Sequence, residues 1–203
     1  MFTQWLRTTF RGFIEGGAAF FGRLGMQANT LTILGCLLQL GAGALVATGR
    51  LSLGGVVLAA TAVFDAFDGA LARQRGGATR FGAFLDSNLD RVAESGVLLG
   101  LAWYFMNQPG QVEEFLVYAA LVGSWMVSYA RARAEGLGIQ CKDGLFTRVE
   151  RTIALILGLV SGWIVPVLWI LAIGTVLTAI HRMISVYLQV RDQPTAGAVP
   201  PAL

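Results

Sequence analysis

Apolar residues cluster along the chain in six stretches that can be drawn as membrane-crossing helices, for which about 20 residues are needed. They run from Thr30 to Thr48, Leu51 to Leu71, Phe81 to Phe105, Phe115 to Tyr129, Thr152 to Val165 and Val167 to Val186. The breaks hold turn-forming or polar residues, namely Gly49-Arg50, Arg73 to Thr79, Asn107 to Gly110, Glu135 to Arg148, and Pro166. Ahead of the first stretch, Phe2, Trp5, Leu6, Phe10, Phe13 and Ile14 recur at helical spacing, with Arg7, Arg11 and Glu15 on the other face. This pattern predicts an amphipathic helix lying in a membrane interface within residues 1–27. The expected fold is an all-α integral membrane protein in which that helix precedes one domain of six transmembrane helices over 28–192. A proline-rich tail over 193–203 is expected to be disordered.

Composition agrees with this picture. Of 203 residues, 55% are hydrophobic and 13% charged, against about 25% charged in an average soluble domain. Assigning alternate breaks to opposite sides gathers nearly all the cations, Arg73, Arg75, Arg131, Arg148 and Arg182 among them, on one side and leaves Arg50 on the other. Positive charge marks the cytoplasmic face, so both termini are expected there. A net charge of +3 without a basic run gives no footprint for nucleic acid. Cys36 and Cys141 are too few for a disulfide framework or a zinc site and read as packing residues. Gly96-x-x-x-Gly100 and Gly158-x-x-x-Gly162 let helices approach closely, either within the chain or across a homodimer.

The stretch from Val63 to Glu94 places Asp65, Asp68, Asp86 and Asp90 in otherwise membrane-like sequence. An ionised carboxylate at mid-bilayer costs about 2.5 to 3.5 kcal/mol on insertion scales, so these groups need compensation. Asp65 and Asp68 are three apart and share one helix face, and Asp86 and Asp90, four apart, share another. With the two helices taken as antiparallel neighbours, the pairs meet across their seam in an all-oxygen site. Such a donor set suits Mg²⁺ or Mn²⁺ better than calcium, and two ions sharing carboxylates would clamp a displacement at phosphorus. Gly69 and Gly82 leave room for a ligand, and Arg73 offers a guanidinium to phosphate oxygens.

The pattern Asp65-x-x-Asp68-Gly69-x-x-Ala72-Arg73, then Gly82-x-x-x-Asp86-x-x-x-Asp90, resembles the signature of the CDP-alcohol phosphatidyltransferase family. The segment from Gln27 to Gly35 is similar to the one that opens the family's first helix. Six spans with cytoplasmic termini are the family's usual architecture. The resemblance implies a divalent-metal-dependent transferase that moves the phosphatidyl group of a CDP-lipid, such as CDP-diacylglycerol, to an alcohol and releases CMP. By position, Asp65, Asp68 and Asp86 match metal ligands, and Asp90 matches both a metal ligand and the general base. Asp68, Gly69, Arg73, Thr79 and Gly82 match positions beside the CDP-lipid, as do Ala28, Asn29, Thr30 and Leu31. Ala28 stands where a proline is common.

The segment from Ser128 to Arg151 brings more cations to the aspartate side than topology requires, which points to an acceptor that already carries phosphate. Positive-inside charge and contact with anionic lipid would also account for it. The run from Thr79 to Arg91 resembles the inositol-using branches of the family. Ser128 to Glu135 resembles the prokaryotic phosphatidylinositol phosphate synthase group. That resemblance implies inositol 1-phosphate as acceptor, held by Ser128, Arg131, Arg133 and Arg151 with help from Arg182 or Arg191. Glycerol 3-phosphate is the second choice, ahead of inositol or serine. Glu94 is expected to support Arg91 or another cation, and His181 to be an interfacial polar residue. An intramembrane metal-ion or proton pathway is the non-enzyme alternative, but no polar ladder continues towards Arg50, Glu113 and Glu114.

Overall fold

The computed structural model describes residues 11–109, 112–141, 144 and 146–191. Residues 1–10 of the expected amphipathic helix and the tail over 193–203 lie outside these. Seven helices are described: α1 Arg11–Arg23, α2 Ala28–Ala47, α3 Leu51–Gln74, α4 Arg80–Met106, α5 Val112–Gly136, α6 Arg148–Ser161 and α7 Ile164–Arg191. By length and composition α2, α3, α5 and α7 can cross a membrane. The other two expected spans differ for identifiable reasons. Helix α4 has 27 residues, but the part from Arg80 to Glu94 carries Arg80, Asp86, Asp90, Arg91 and Glu94. Helix α6 has 14 residues, about 21 Å at 1.5 Å per residue, against about 30 Å of hydrocarbon.

Pro166 does not mark the last break. It sits in the first turn of α7, where a missing N–H breaks no helical bond. The turn is made instead by Gly162, whose φ of 79° is left-handed and suits glycine.

Six helices close into a ring in the order α4, α2, α3, α6, α7, α5 and back to α4, with α1 outside against α3. This corrects one expectation from sequence. The aspartate-bearing helices α3 and α4 are not packed neighbours, because α2 lies between them and packs on both. Glycines permit that approach: a Cβ on Gly100 would lie 2.1 Å from the Gly43 carbonyl oxygen, and one on Gly43 would lie 2.5 Å from that of Gly96. The Gly96-x-x-x-Gly100 pair is thus consumed inside the chain. Gly158 likewise packs on Val167 of α7.

The ring has two unlike ends. Ala42, Val46, Leu58, Val97, Leu101, Val117, Leu159 and Leu168 belong to one buried apolar cluster, drawn from the halves of the helices nearest Arg50. The opposite halves carry the four aspartates and the arginines. Helix α1 caps that end through Phe13 and Phe21, which stack with Phe64 and Phe67 of α3. Gln74 of α3 adds a hydrogen bond to the Glu15 carbonyl oxygen at 3.1 Å.

Candidate active site

The four aspartates line one small cavity of about 10 Å³, together with Thr32, Cys36 and Gln39 of α2. The α2 residues follow helical spacing, so one stripe of that helix forms the floor beneath both carboxylate pairs. Thr32 Oγ1 donates to Asp68 Oδ2 at 2.8 Å, and Gln39 Nε2 donates to Asp65 Oδ2 at 2.8 Å. Between them, Gly35 lets Asp65 lie against the helix, since a Cβ there would fall 2.6 Å from Asp65 Oδ1. Both bonds orient acceptor oxygens and leave further lone pairs on each carboxylate.

A cation also reaches this cluster. Arg148, the first residue of α6, sets Nη1 2.8 Å from Asp90 Oδ1 and Nη2 3.4 Å from Asp65 Oδ2. Its Nε is buried and has no hydrogen-bond partner in the structure. One turn further, Arg151 makes a different kind of contact. It is 1% exposed and grips Glu94 with Nε to Oε1 at 2.7 Å and Nη2 to Oε2 at 2.9 Å, while Nη1 donates to the Phe146 carbonyl oxygen at 3.2 Å. Asp90 and Glu94, four apart on α4, thus face Arg148 and Arg151, three apart on α6, as two successive rungs.

Two larger cavities flank the aspartates. One, of about 390 Å³, is lined by Ala28, Asn29, Thr32, Asp68, Gly69, Thr79, Gly82 and Asp86, with Gln27, Arg75, Gly77 and Ala78. Most of its wall is small side chains and backbone, with Arg75 the one cation among the described residues that line it. Thr79 caps α4 by accepting from the Gly82 N–H at 2.9 Å. A Cβ on Gly82 would lie 2.9 Å from Asn29 Oδ1. Of the residues expected here, Leu31 is 1% exposed in an apolar cluster with Ala18, Ala70 and Leu71, and Thr30 is exposed outside the lining. Arg73 is outside it too, with Nη1 3.4 Å from where a Gly69 Cβ would stand.

The other cavity, of about 560 Å³, is lined by Asp86, Asp90, Ser128, Arg131, Arg148, Arg151 and Arg182. Ser128 and Arg131 are three apart and share a face of α5. Arg133 is exposed and not in the lining, because two residues along a helix turn it roughly 200° from Arg131. Arg131 pairs with Glu135 at 2.8 Å. Arg182 is 3% exposed and donates to the Val127 carbonyl oxygen at 2.5 Å. Asp86 lines all three cavities.

The sequence profile of the CDP-alcohol phosphatidyltransferase family matches residues 26–188. The chain belongs to that family. Phosphatidylinositol phosphate synthase of Mycobacteroides abscessus is 38% identical over 188 residues, covering 87% of this chain and 84% of the relative. Archaetidylinositol phosphate synthase of Methanothermobacter thermautotrophicus is 36% identical, covering 89% and 92%. The crystal structure of the Mycobacterium tuberculosis phosphatidylinositol phosphate synthase with CDP-DAG bound matches with a TM-score of 0.84 and 30% identity over 91% of this chain and 98% of that one. The same protein in complex with manganese and citrate matches with a TM-score of 0.84 and 30% identity, covering 92% and 96%.

The family's divalent metal fits the residues present. Four carboxylates from two helices supply oxygen donors suited to a hard cation, and a positive group already lies on two of them. Among the described residues no three His, Cys, Asp or Glu side chains converge on one ion position in this structure.

Proposed function

We propose that this phosphatidyltransferase moves the phosphatidyl group of CDP-diacylglycerol, or a related CDP-lipid, to the hydroxyl of inositol 1-phosphate, giving phosphatidylinositol phosphate and CMP. One observation carries the reading: a cavity walled mostly by small residues and a cavity walled by arginines meet at Asp86, with Asp90 one turn on in the wall of the second. The first suits a nucleotide diphosphate approaching backbone at Gly69 and Gly82, beside Asn29 and Thr79. The second suits an acceptor that already carries phosphate, received by Ser128 and Arg131. Similarity to the phosphatidylinositol and archaetidylinositol phosphate synthases supports the same acceptor.

Asp65, Asp68, Asp86 and Asp90 would hold two divalent ions, Mg²⁺ or Mn²⁺, whose charge offsets that of the diphosphate and the departing CMP. Asp90 takes the proton of the acceptor hydroxyl as its oxygen attacks the β-phosphorus. Thr32 and Gln39 keep the carboxylates of Asp68 and Asp65 oriented. Arg151 is already spent on Glu94, so in this reading it shapes the acceptor wall, and the exposed guanidinium of Arg131 meets the acceptor's phosphate.

In the same reading, residues 28–192 form the catalytic domain, with α4 and α6 completing six spans inside the ring. The arginine-rich end, with the site and both termini, faces the cytoplasm. Helix α1 lies in the interface, consistent with the exposure of Phe13 and Phe20. Because the Gly96-x-x-x-Gly100 seam is used internally, a homodimer pairs through other faces.

The test is CMP release by purified protein in detergent with CDP-diacylglycerol and Mg²⁺, comparing inositol 1-phosphate, glycerol 3-phosphate, inositol and serine. Release with inositol 1-phosphate alone is expected. Turnover with glycerol 3-phosphate instead keeps the chemistry and overturns the acceptor. Silence with all four, in folded protein, overturns the donor assignment.

A further inference from the structure

We propose that Arg148 is a placeholder cation: its guanidinium competes with divalent ions for Asp65 and Asp90, and its release into the arginine-lined cavity couples ion binding to capture of the acceptor's phosphate. The proposal rests on the metal and acceptor reading above and assigns a task to a residue that this reading leaves without one.

Geometry separates Arg148 from the other arginines. Arg151 makes three hydrogen bonds and has almost no exposure, so nothing invites it to move. Arg148 holds its carboxylates less completely, with one contact at 2.8 Å, one at 3.4 Å and a buried Nε left unsatisfied. Its side chain is 33% exposed, which leaves a route outward. A dication on Asp65 and Asp90 competes for the carboxylates the guanidinium now touches, and two positive groups a few ångströms apart repel. Expulsion is therefore expected on ion binding. The direction follows from the lining: Arg148 borders the cavity with Ser128, Arg131 and Arg182, and does not border the one with Asn29 and Thr79. A released guanidinium arrives where an anionic acceptor enters and can fork onto phosphate. Competition then becomes coupling, and by linkage the ion strengthens phosphate binding by the factor with which phosphate strengthens ion binding.

The experiment uses full-length protein in detergent, stripped with chelator, with no CDP-lipid so that turnover is impossible. Free Mn²⁺ is followed by its electron paramagnetic resonance signal, with and without inositol 1-phosphate, in wild type, Arg148→Gln and Arg148→Lys. In wild type, inositol 1-phosphate is expected to tighten Mn²⁺ binding by about tenfold, within the usual range of coupling between sites. In Arg148→Gln, Mn²⁺ alone is expected to bind several-fold tighter than in wild type, since the competitor is gone, and the coupling factor falls towards one. Melting of chelated protein is expected to drop in this variant and to be recovered by Mn²⁺. Arg148→Lys, which keeps the charge, is expected to fall between the two in Mn²⁺ affinity and serves if Arg148→Gln fails to fold. Unchanged or weaker Mn²⁺ binding on loss of Arg148 overturns the placeholder, as does coupling that survives in Arg148→Gln. Failure of wild type to bind Mn²⁺ at all is a separate result and overturns the underlying metal site.

Discussion

The first four helices and the last three make the site in different ways. Helices α2, α3 and α4 supply the carboxylates and a cavity lined mostly by glycine, alanine, threonine and asparagine, where in the proposed reading the ligand approaches backbone. Helices α5, α6 and α7 supply Ser128, Arg131, Arg148, Arg151 and Arg182, where in the same reading it meets long cationic side chains. One half would thus recognise by leaving space at fixed positions, the other by reaching. A lipid-anchored donor arrives in a restricted orientation and can be matched by a fixed wall. A soluble acceptor arrives by diffusion and is matched better by charge.

The largest effect is expected where the halves meet. Asp90→Asn removes the proposed proton acceptor and ion ligand while keeping the shape, and should lower the rate of CMP release by at least about 10²-fold, in the range for loss of general base catalysis. A retained rate would move the base elsewhere. Next comes the buried rung that joins the halves. Arg151→Ala leaves Glu94 charged and without its partner, which for a buried pair destabilises by about 3–5 kcal/mol, read as a lower melting temperature in detergent. Equal stability would mean that α6 is held by other contacts.

Smaller and more selective effects divide the two cavities. Arg131→Ala is expected to raise the acceptor KM by about tenfold, as for a lost charge-assisted hydrogen bond, and to leave the CDP-lipid KM alone. Gly82→Ala should do the reverse, because its Cβ would crowd Asn29 and Thr79. If both variants shift both constants alike, the two cavities act as one. Arg133→Ala, exposed and away from the lining, is expected to change either constant less than about twofold, as surface substitutions usually do.

The aspartate cluster was legible in the sequence because spacings of three and four on a helix state which side chains share a face. The wedge of α2 between α3 and α4 was not, since apolar stretches say that a helix is buried and nothing about its neighbours. Thr32 and Gln39 look like ordinary polar residues in a span until the carboxylates they hold are known to lie opposite. Arg131 and Arg133 carry the same charge in the same segment, and only the helical phase of α5 tells them apart. The partner of Arg151 lies 57 residues away, and no local pattern selects Glu94 over Arg91's neighbours.

The position of α2 also bears on how the protein is made. A chain is synthesised from its N-terminus, so the helix carrying Thr32, Gly35 and Gln39 leaves the ribosome before either acidic helix. The carboxylates of α3 then emerge beside a surface already shaped to receive them, with hydrogen-bond donors and a glycine notch. The second pair follows onto the same helix, and the arginines of α5, α6 and α7 come after it. Biogenesis therefore proceeds from donors to acids to bases, and the four charges need not wait in the lipid for the completed ring.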